Sequence, residues 1–326
     1  MKLTDSYGRQ INYLRISVTD RCNYRCFYCM PEHGVCACQH EDLLSYDELI
    51  VLAETAVQMG IEKIRITGGE PLVRKGIIEF LARLSAIDGL KHLALSTNGQ
   101  LLDEMAADLR LAGVQRFNIS LDSLRPGRFA QITRGGDLKK VLRGLDRIAE
   151  VGFPLPKLNI VAMRGINDDE FLDFVDLTLT RGYSIRFIEY MPTLKEPGWQ
   201  KRWIAGSEIL NKIAANYPLE HVDKGPYAGP ANDFRITGAK GTIGFITALS
   251  NHFCEQCNRI RVTSTGTAKS CLFSEETIDL RPNLTDGNRL LLRRQLNELV
   301  QSKPRCHSVT TGESDHSSFL MSQVGG

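Results

Sequence analysis

The chain has 326 residues, 40 basic and 38 acidic, for a formal charge of +2; that length suffices for a full α/β barrel or a barrel with a smaller domain attached. So small a charge sets up no global field of the kind that draws nucleic acid or anionic membrane, which confines any anion site to a local feature. Residues 1–10 are polar, no run of eighteen apolar residues occurs, and nine cysteines fall into two clusters plus Cys36, Cys38 and Cys306; a soluble, cytoplasmic protein whose cysteines bind metal is expected.

Tyr13 to Thr19 reads as the first strand and runs into Cys22-Asn23-Tyr24-Arg25-Cys26-Phe27-Tyr28-Cys29. Three thiolates at C-x3-C-x2-C are soft ligands that suit an iron-sulfur cluster, zinc or Cu(I). A closed structural site takes four ligands, so three leave one metal position open. Spacing alone also allows a zinc clip completed by a residue such as His33, or three unrelated buried thiols. The interleaved aromatics argue for an apolar shell around a cluster.

Ser45-Tyr46-Asp47-Glu48 has the form of a capping box and opens a helix to about Met59. Lys63 to Thr67 is the next strand, followed at once by Gly68-Gly69-Glu70-Pro71. The glycines permit close approach of backbone to a ligand and the proline ends the ladder; alone, this is a tight turn. Strands at His92–Thr97, Arg116–Ser123, Lys157–Met163 and Ser184–Met191 alternate with helices near 76–85, 102–111, 138–150 and 168–181. Six strand-helix repeats imply right-handed parallel crossovers, hence a barrel or a curved open sheet.

Parallel strands covered by helices are normally apolar on both faces, yet these alternate. Arg15, Ser17 and Thr19, then Lys63, Arg65 and Thr67, then Ser96 and Asn98, Asn118, Ser120 and Asp122, and Lys157 and Asn159 share polar faces opposite Leu, Ile and Val. The apolar face belongs under the helices, so the polar face lines an interior made cationic by Arg15, Lys63, Arg65, Lys157 and Arg186. Unpaired buried cations are costly, which calls for an anionic ligand, and a polyphosphate fits better than a monocarboxylate. The competing reading pairs some of them with Asp122 or Glu189 at solvated strand mouths. Ser96 and Ser120 end their strands and could equally cap the next turn.

Residues 192–203 read as a linker, dividing the chain into 1–191 and 192–326. A helix near 206–216 and short strands at Phe234–Thr237 and Thr242–Thr247 follow. Cys254, Cys257 and Cys271 form a second three-thiolate set, with Arg259 and Arg261 on one face of a strand just beyond. A lone C-x2-C is weak evidence, and a zinc site completed by His252 or an acidic residue stays open. The Ser-, Thr-, Gly- and His-rich tail at 302–318 is expected to be partly mobile.

The first cysteine motif, with an aromatic before its last cysteine, and Gly-Gly-Glu-Pro resemble the radical S-adenosylmethionine superfamily. Adding Arg15, the Cys254-x2-Cys257-Asn258-Arg259-x-Arg261 run, Cys271 and the terminal Gly325-Gly326, essentially the whole chain resembles the GTP 3',8-cyclase family of molybdenum cofactor biosynthesis. The resemblance implies an α/β fold, a partial (β/α)6 TIM-like barrel with a carboxyl-terminal α+β extension. It implies a [4Fe-4S] cluster on Cys22, Cys26 and Cys29 whose open iron chelates S-adenosyl-L-methionine, and a second on Cys254, Cys257 and Cys271 whose open iron binds guanine. Tyr28, Gly69 with the adjoining Glu70, Ser120 and Met191 would meet S-adenosyl-L-methionine; Arg15, Arg65, Ser96, Lys157, Arg259, Ile260 and Arg261 would meet GTP. Gly325 and Gly326 would enter the active site with the tail.

The implied reaction removes the C3' hydrogen of GTP by a 5'-deoxyadenosyl radical and joins C3' to C8. An external electron donor, hand-over of product to cyclic pyranopterin monophosphate synthase and a homodimer follow from the same resemblance. Cys36 and Cys38 are not family ligands, Ser96 stands where Thr is frequent, and the chain ends Gln-Val-Gly-Gly. A radical S-adenosylmethionine peptide-modifying maturase has no need of the cationic faces, and a non-catalytic metal-stabilised binding or electron-transfer protein predicts no cofactor cleavage. Near-neutral charge speaks against a nucleic-acid binder.

Overall fold

The computed structural model describes residues 2–34, 39–191, 198–223, 225, 229–309 and 321–324. Cys36, Cys38, half of the expected linker, most of the expected mobile tail and Gly325-Gly326 lie outside them. The alternating pattern of the first part folds as β1 (Tyr13–Ser17), α1 (Tyr46–Gln58), β2 (Lys63–Thr67), α2 (Ile77–Ser85), β3 (His92–Thr97), α3 (Leu102–Leu111), β4 (Arg116–Ser120), α4 (Pro126–Thr133), α5 (Leu138–Glu150), β5 (Lys157–Ala162), α6 (Phe171–Thr180) and β6 (Ser184–Glu189). Strands β1 to β6 pair in order and in parallel.

Local chemistry explains the boundaries. Ser45 accepts from the Glu48 amide while the Glu48 carboxylate accepts from the Ser45 amide, closing the box that starts α1. Strand β4 stops at Ser120, short of the expected Ser123, because Asp122 turns its carboxylate to the Val161 amide at 2.8 Å and the Tyr28 hydroxyl at 2.7 Å. Helix α4, absent from the sequence reading, then starts with Pro126 in its first turn, where the missing N–H costs nothing.

The remaining elements are α7 (Gly206–Ala214), β7 (Leu219–Val222), β8 (Asn232–Ile236), β9 (Ile243–Ile246), β10 (Arg259–Val262), β11 (Thr267–Lys269), β12 (Ile278–Asp279), α8 (Arg281–Thr285), α9 (Arg289–Gln301) and α10 (Met321–Val324). Strand β9 pairs in parallel with β6, and β10 in parallel with β1. The last third therefore extends both edges of the first sheet rather than building a separate one. The result is a partial barrel-like sheet ordered β12-β11-β10-β1-β2-β3-β4-β5-β6-β9-β8-β7. Helix α9, also absent from the sequence reading, buries Leu292, Leu296, Leu299 and Val300 and ties its outer face to α1 through Arg289–Glu54 and Arg293–Gln58.

Leu14, Ile16, Ile64, Ile66, Leu95, Ile119, Leu158 and Ile160 have no exposed surface and share one apolar core with the helices. Each such burial stabilises by about 1.5–3 kcal/mol, which fixes the strand register and leaves the alternate residues facing inward. No helix among the described residues is long and apolar enough to cross a membrane.

Candidate active site

The first cysteine loop is held from several sides. Arg25 and Phe27 donate their amides to Thr133 and Ile132 at the end of α4, at 3.0 and 3.1 Å, and the Tyr24 hydroxyl donates to Gln100 at 2.5 Å. The Tyr24 amide donates to Cys22 Sγ at 3.3 Å. Gly68 and Gly69 pack against the same loop: Gly69 N donates to Thr19 O at 2.6 Å and Glu70 N to Arg21 O at 2.8 Å. A Cβ at Gly69 would lie 2.4 Å from Arg21 O. The glycine pair thus lets two backbone segments meet, beyond the approach to a ligand that the sequence suggests. Glu70 is 1% exposed, and its carboxylate accepts from Thr97 Oγ1, Asn98 N and Leu72 N at 2.7, 2.7 and 3.1 Å. It fastens the loop to the end of β3, and burial pushes its carboxyl up to about 7.

One cavity with about 1780 Å³ of space, its open mouth included, is lined by both cysteine trios. Arg15, Tyr28, Gly69, Glu70, Ser96, Ser120, Met191, Arg259 and Arg261 share its wall. Arg65 and Lys157, also expected at the ligand, lie off that wall. Arg65 Nε donates to the Tyr13 hydroxyl at 2.6 Å, and its Nη1 reaches Leu95 O and Ser96 Oγ at 3.4 Å. Ile260 is 1% exposed in the apolar core, so its backbone alone is left to touch a ligand.

Parallel pairing sets the charges side by side. Arg15 stands opposite Arg261 on β10 and opposite Arg65 on β2, and Tyr13 stands between Arg259 and Lys63 in the same way. Like charges directly opposite destabilise a sheet. Burial, then Arg15 and Arg259, bring the Arg261 guanidinium down to about 9, still charged at neutral pH. Burial, with Arg65 and Arg186 adding to it, lowers Lys63 to about 8, and burial with Arg186 lowers Lys157 to about 7. Asp122 is engaged as above, and Glu189 accepts from Gly206 N, Leu249 N and Ser250 N at 2.9, 2.9 and 3.1 Å. Neither acid neutralises the row, which overturns the competing reading of paired strand mouths for these two partners. Arg186 has Asp233 at 3.8 Å. Arg186 Nε, Arg261 Nη1 and Asn159 Oδ1 are buried with no hydrogen-bond partner among the described residues. The two orphaned arginine donors beside the cavity fit a large polar anion, and the orphaned Asn159 oxygen fits a donor group on the same ligand.

At the second trio, burial raises the Cys257 thiol but Arg259 and Lys303 more than offset it, bringing it to about 6. Lys303, 3% exposed, donates to Arg259 O and Ser270 O at 2.9 and 2.6 Å, tying β10 to the Cys271 segment. Among the described residues, one group of three His, Cys, Asp or Glu donor atoms lies within 4.8 Å of one another, that of His252, Cys254 and His307. Zn–S bonds of about 2.3 Å in a tetrahedron set sulfurs about 3.8 Å apart; neither cysteine trio is drawn in that tightly. Three spaced thiols with room between them suit the corners of a cluster better than one ion.

Sequence reasoning missed Tyr13 and Lys303. Tyr13 carries a signal, since it shares the β1 face with Arg15 two residues on. For Lys303 the local sequence offers none, because its partners are 33 and 44 residues away.

The chain matches the Radical SAM superfamily over residues 16–178 and Molybdenum Cofactor Synthesis C over residues 183–309. It is 58% identical over 326 residues to the GTP 3',8-cyclase of Geobacter sulfurreducens, covering 100% of both chains. It is 43% identical to the GTP 3',8-cyclase of Alkaliphilus oremlandii over 99% of this chain and 100% of that one. Among solved structures, Streptococcus suis SuiB bound to S-adenosylmethionine superposes with a TM-score of 0.64 at 14% identity, over 91% of this chain and 68% of that one; such a likeness speaks for the fold. The superfamily match brings with it one [4Fe-4S] cluster and S-adenosylmethionine, for which Cys22, Cys26 and Cys29 around the shared cavity are a fitting donor set. By sequence over its full length, the chain belongs to the GTP 3',8-cyclase family of the radical S-adenosylmethionine superfamily.

Proposed function

We propose that this protein is a lyase that converts GTP to (8S)-3',8-cyclo-7,8-dihydroguanosine 5'-triphosphate in the first step of molybdenum cofactor biosynthesis. The observation that carries the reading is the meeting of two cysteine trios in one cavity bordered by Arg261 and Arg15, with Arg65 next in register behind the wall. Cys22, Cys26 and Cys29 hold the first cluster, and Cys254, Cys257 and Cys271 hold a second. When bound, the first cluster supplies the electron that splits S-adenosylmethionine, the source of the hydrogen-abstracting radical. Tyr28, Gly69, Ser120 and Met191 seat that cofactor, with Glu70 holding the loop in place.

Arg15, Arg259 and Arg261 offer the triphosphate fixed, bidentate donors, with Ser96 beside them and Arg65 and Lys157 adding charge from behind the wall. Ile260 contributes backbone. Residues 1–191 serve the cofactor and 192–326 the second cluster, with Gly325 and Gly326 completing the site. The protein orients C3' against C8 and excludes water; an external donor provides electrons, and the product passes to cyclic pyranopterin monophosphate synthase from a cytoplasmic homodimer.

The test is an anaerobic reaction of reconstituted protein with reductant, S-adenosylmethionine and GTP, read for 5'-deoxyadenosine and the cyclised nucleotide. Cofactor cleavage with GTP untouched refutes the cyclase reading in favour of a maturase. Stoichiometric zinc with no iron refutes radical chemistry altogether and points to His252, Cys254 and His307.

A further inference from the structure

We propose that Tyr13 is the internal counter-ion of the cationic row: with no ligand bound, its phenol oxygen is held as an anion between Arg65 and Arg15, and it takes a proton from solvent when a polyphosphate enters. The inference rests on the triphosphate reading of the cavity and goes beyond it to how the free site tolerates its own charge.

The geometry begins with the oxygen. Tyr13 is 2% exposed, and its hydroxyl oxygen accepts from Arg65 Nε at 2.6 Å and from Arg15 Nε at 3.4 Å. Both neighbours are guanidinium donors that cannot accept, so the phenol's own proton finds no acceptor in either. A phenolate there has what it needs, because charge-assisted N–H···O⁻ bonds are about twice as strong as neutral ones. The ring is placed for the same purpose. The Lys63 ammonium lies 4.6 Å from its centroid and the Arg15 guanidinium 5.7 Å, over a π-face that electron donation from O⁻ makes more attractive to cations.

The charged groups that face Tyr13 are Arg15 on its own strand, Lys63 and Arg65 on β2, Arg259 on β10 and Arg186 on β6. All are cations. Burial by itself pushes the phenol up, but Arg15, Arg65, Lys63 and Arg259 together outweigh it and hold the phenol well below its ordinary range. Entry of a polyphosphate reverses the balance, because its charges neutralise the same guanidinium and ammonium groups. The phenolate is then a buried anion facing another anion, and protonation removes the repulsion. The step moves one proton from solvent to Tyr13 Oη and involves no electron transfer.

The experiment uses anaerobic holoprotein and two probes, inorganic tripolyphosphate, which has no near-ultraviolet absorbance, and GTP. Near pH 8, below the ordinary phenol value of about 10, tripolyphosphate is expected to remove the near-ultraviolet tyrosinate absorbance of about one residue. Tyr13→Phe, checked for wild-type iron content, is expected to show no such loss. Calorimetry in two buffers of different ionisation enthalpy reads proton uptake; because Tyr13 itself raises Lys63, the two proteins are compared in a Lys63→Met background, where Lys157 contributes to both and the chain that keeps Tyr13 should exceed its Tyr13→Phe counterpart by about one proton. Binding with an unchanged tyrosinate band, or equal proton uptake by the two proteins, overturns the role of Tyr13 and leaves the triphosphate reading standing. Failure of both probes to bind overturns the triphosphate reading and this proposal with it. The ligand-free wild type supplies a check that needs no variant: a pH titration showing no tyrosinate until about pH 10 also overturns the proposal.

Discussion

Gly69→Ala tests how the cysteine loop is positioned. The added Cβ would stand 2.4 Å from Arg21 O, 2.6 Å from Arg21 C and 2.7 Å from Asp20 O, where ordinary contact begins at 3.4 Å. About 1 Å must therefore come from backbone, since no flexible side chain tip is involved. Separating the segments also threatens the bonds from Gly69 N to Thr19 O and from Glu70 N to Arg21 O, worth about 1 kcal/mol each, on top of about 1–3 kcal/mol for overpacking. The upper limit of about 5 kcal/mol rivals the whole stability of a marginal domain. Arg21 adjoins Cys22, so the chain relaxes by moving that ligand, and a misplacement of about 1 Å can cost about 100-fold in rate. Anaerobic reconstitution followed by iron content, thermal unfolding and 5'-deoxyadenosine formation should show a lower melting temperature and a cleavage rate reduced at least tenfold. Gly127→Ala on α4, where nothing lies within 4 Å, is the matched control and should retain activity. Wild-type cleavage and stability in Gly69→Ala would refute the packing argument.

Two further expectations follow from other parts of the site. Lys157 and Lys63, at about 7 and about 8 in the free protein, bind a polyphosphate as ammonium groups, so affinity for GTP should fall as pH rises through these values; calorimetry giving a flat affinity across that window contradicts their involvement. Glu189→Gln replaces one acceptor oxygen by an amide NH2 against a cluster of donors from Gly206, Leu249 and Ser250, and should cost about 1–3 kcal/mol, seen as a melting temperature several degrees lower. An unchanged melt would show that those donors find other acceptors.

The strands of the first half were legible because the polar and apolar faces differ so sharply: Arg15 and Arg65 alternate with Leu14 and Ile66 at a period that only a strand satisfies. Their carboxyl ends were read too long, since Asp122 and Met191 continue the pattern after side-chain hydrogen bonds or turns have replaced the ladder. Helix α9 carried a readable signal in Leu292, Leu296, Leu299 and Val300. The pairing of β10 with β1 was not legible. Arg259 and Arg261 could be assigned to a strand face, but their registration against Tyr13 and Arg15 joins residues some 246 positions apart and depends on which sheet edge is free. For the same reason the sequence yielded the arginines without Tyr13: a tyrosine in a strand looks like a strand former until its cross-strand neighbours are known.

That registration makes the cationic row a property of the completed sheet. Arg261 faces Arg15, which faces Arg65, and each like-charged cross-strand pair costs about 0.2–1 kcal/mol, with Arg261 Nη1 left besides without a hydrogen-bond partner among the described residues. The site therefore trades stability for affinity, and Arg261→Met separates the two. Methionine keeps much of the apolar stem and removes the charge, so ligand-free protein should melt at the same temperature as wild type or slightly higher, with iron at Cys22, Cys26 and Cys29 undisturbed. GTP should bind about 10–100-fold more weakly, the loss of a hydrogen bond to a charged group worth about 1.5–3 kcal/mol. The stabilisation GTP gives at saturation, about 2.7 kcal/mol at a hundred times the dissociation constant, should shrink accordingly. A melting temperature several degrees below wild type without ligand would show that Arg261 holds β10 in place, and the cost assigned to the row would then be wrong.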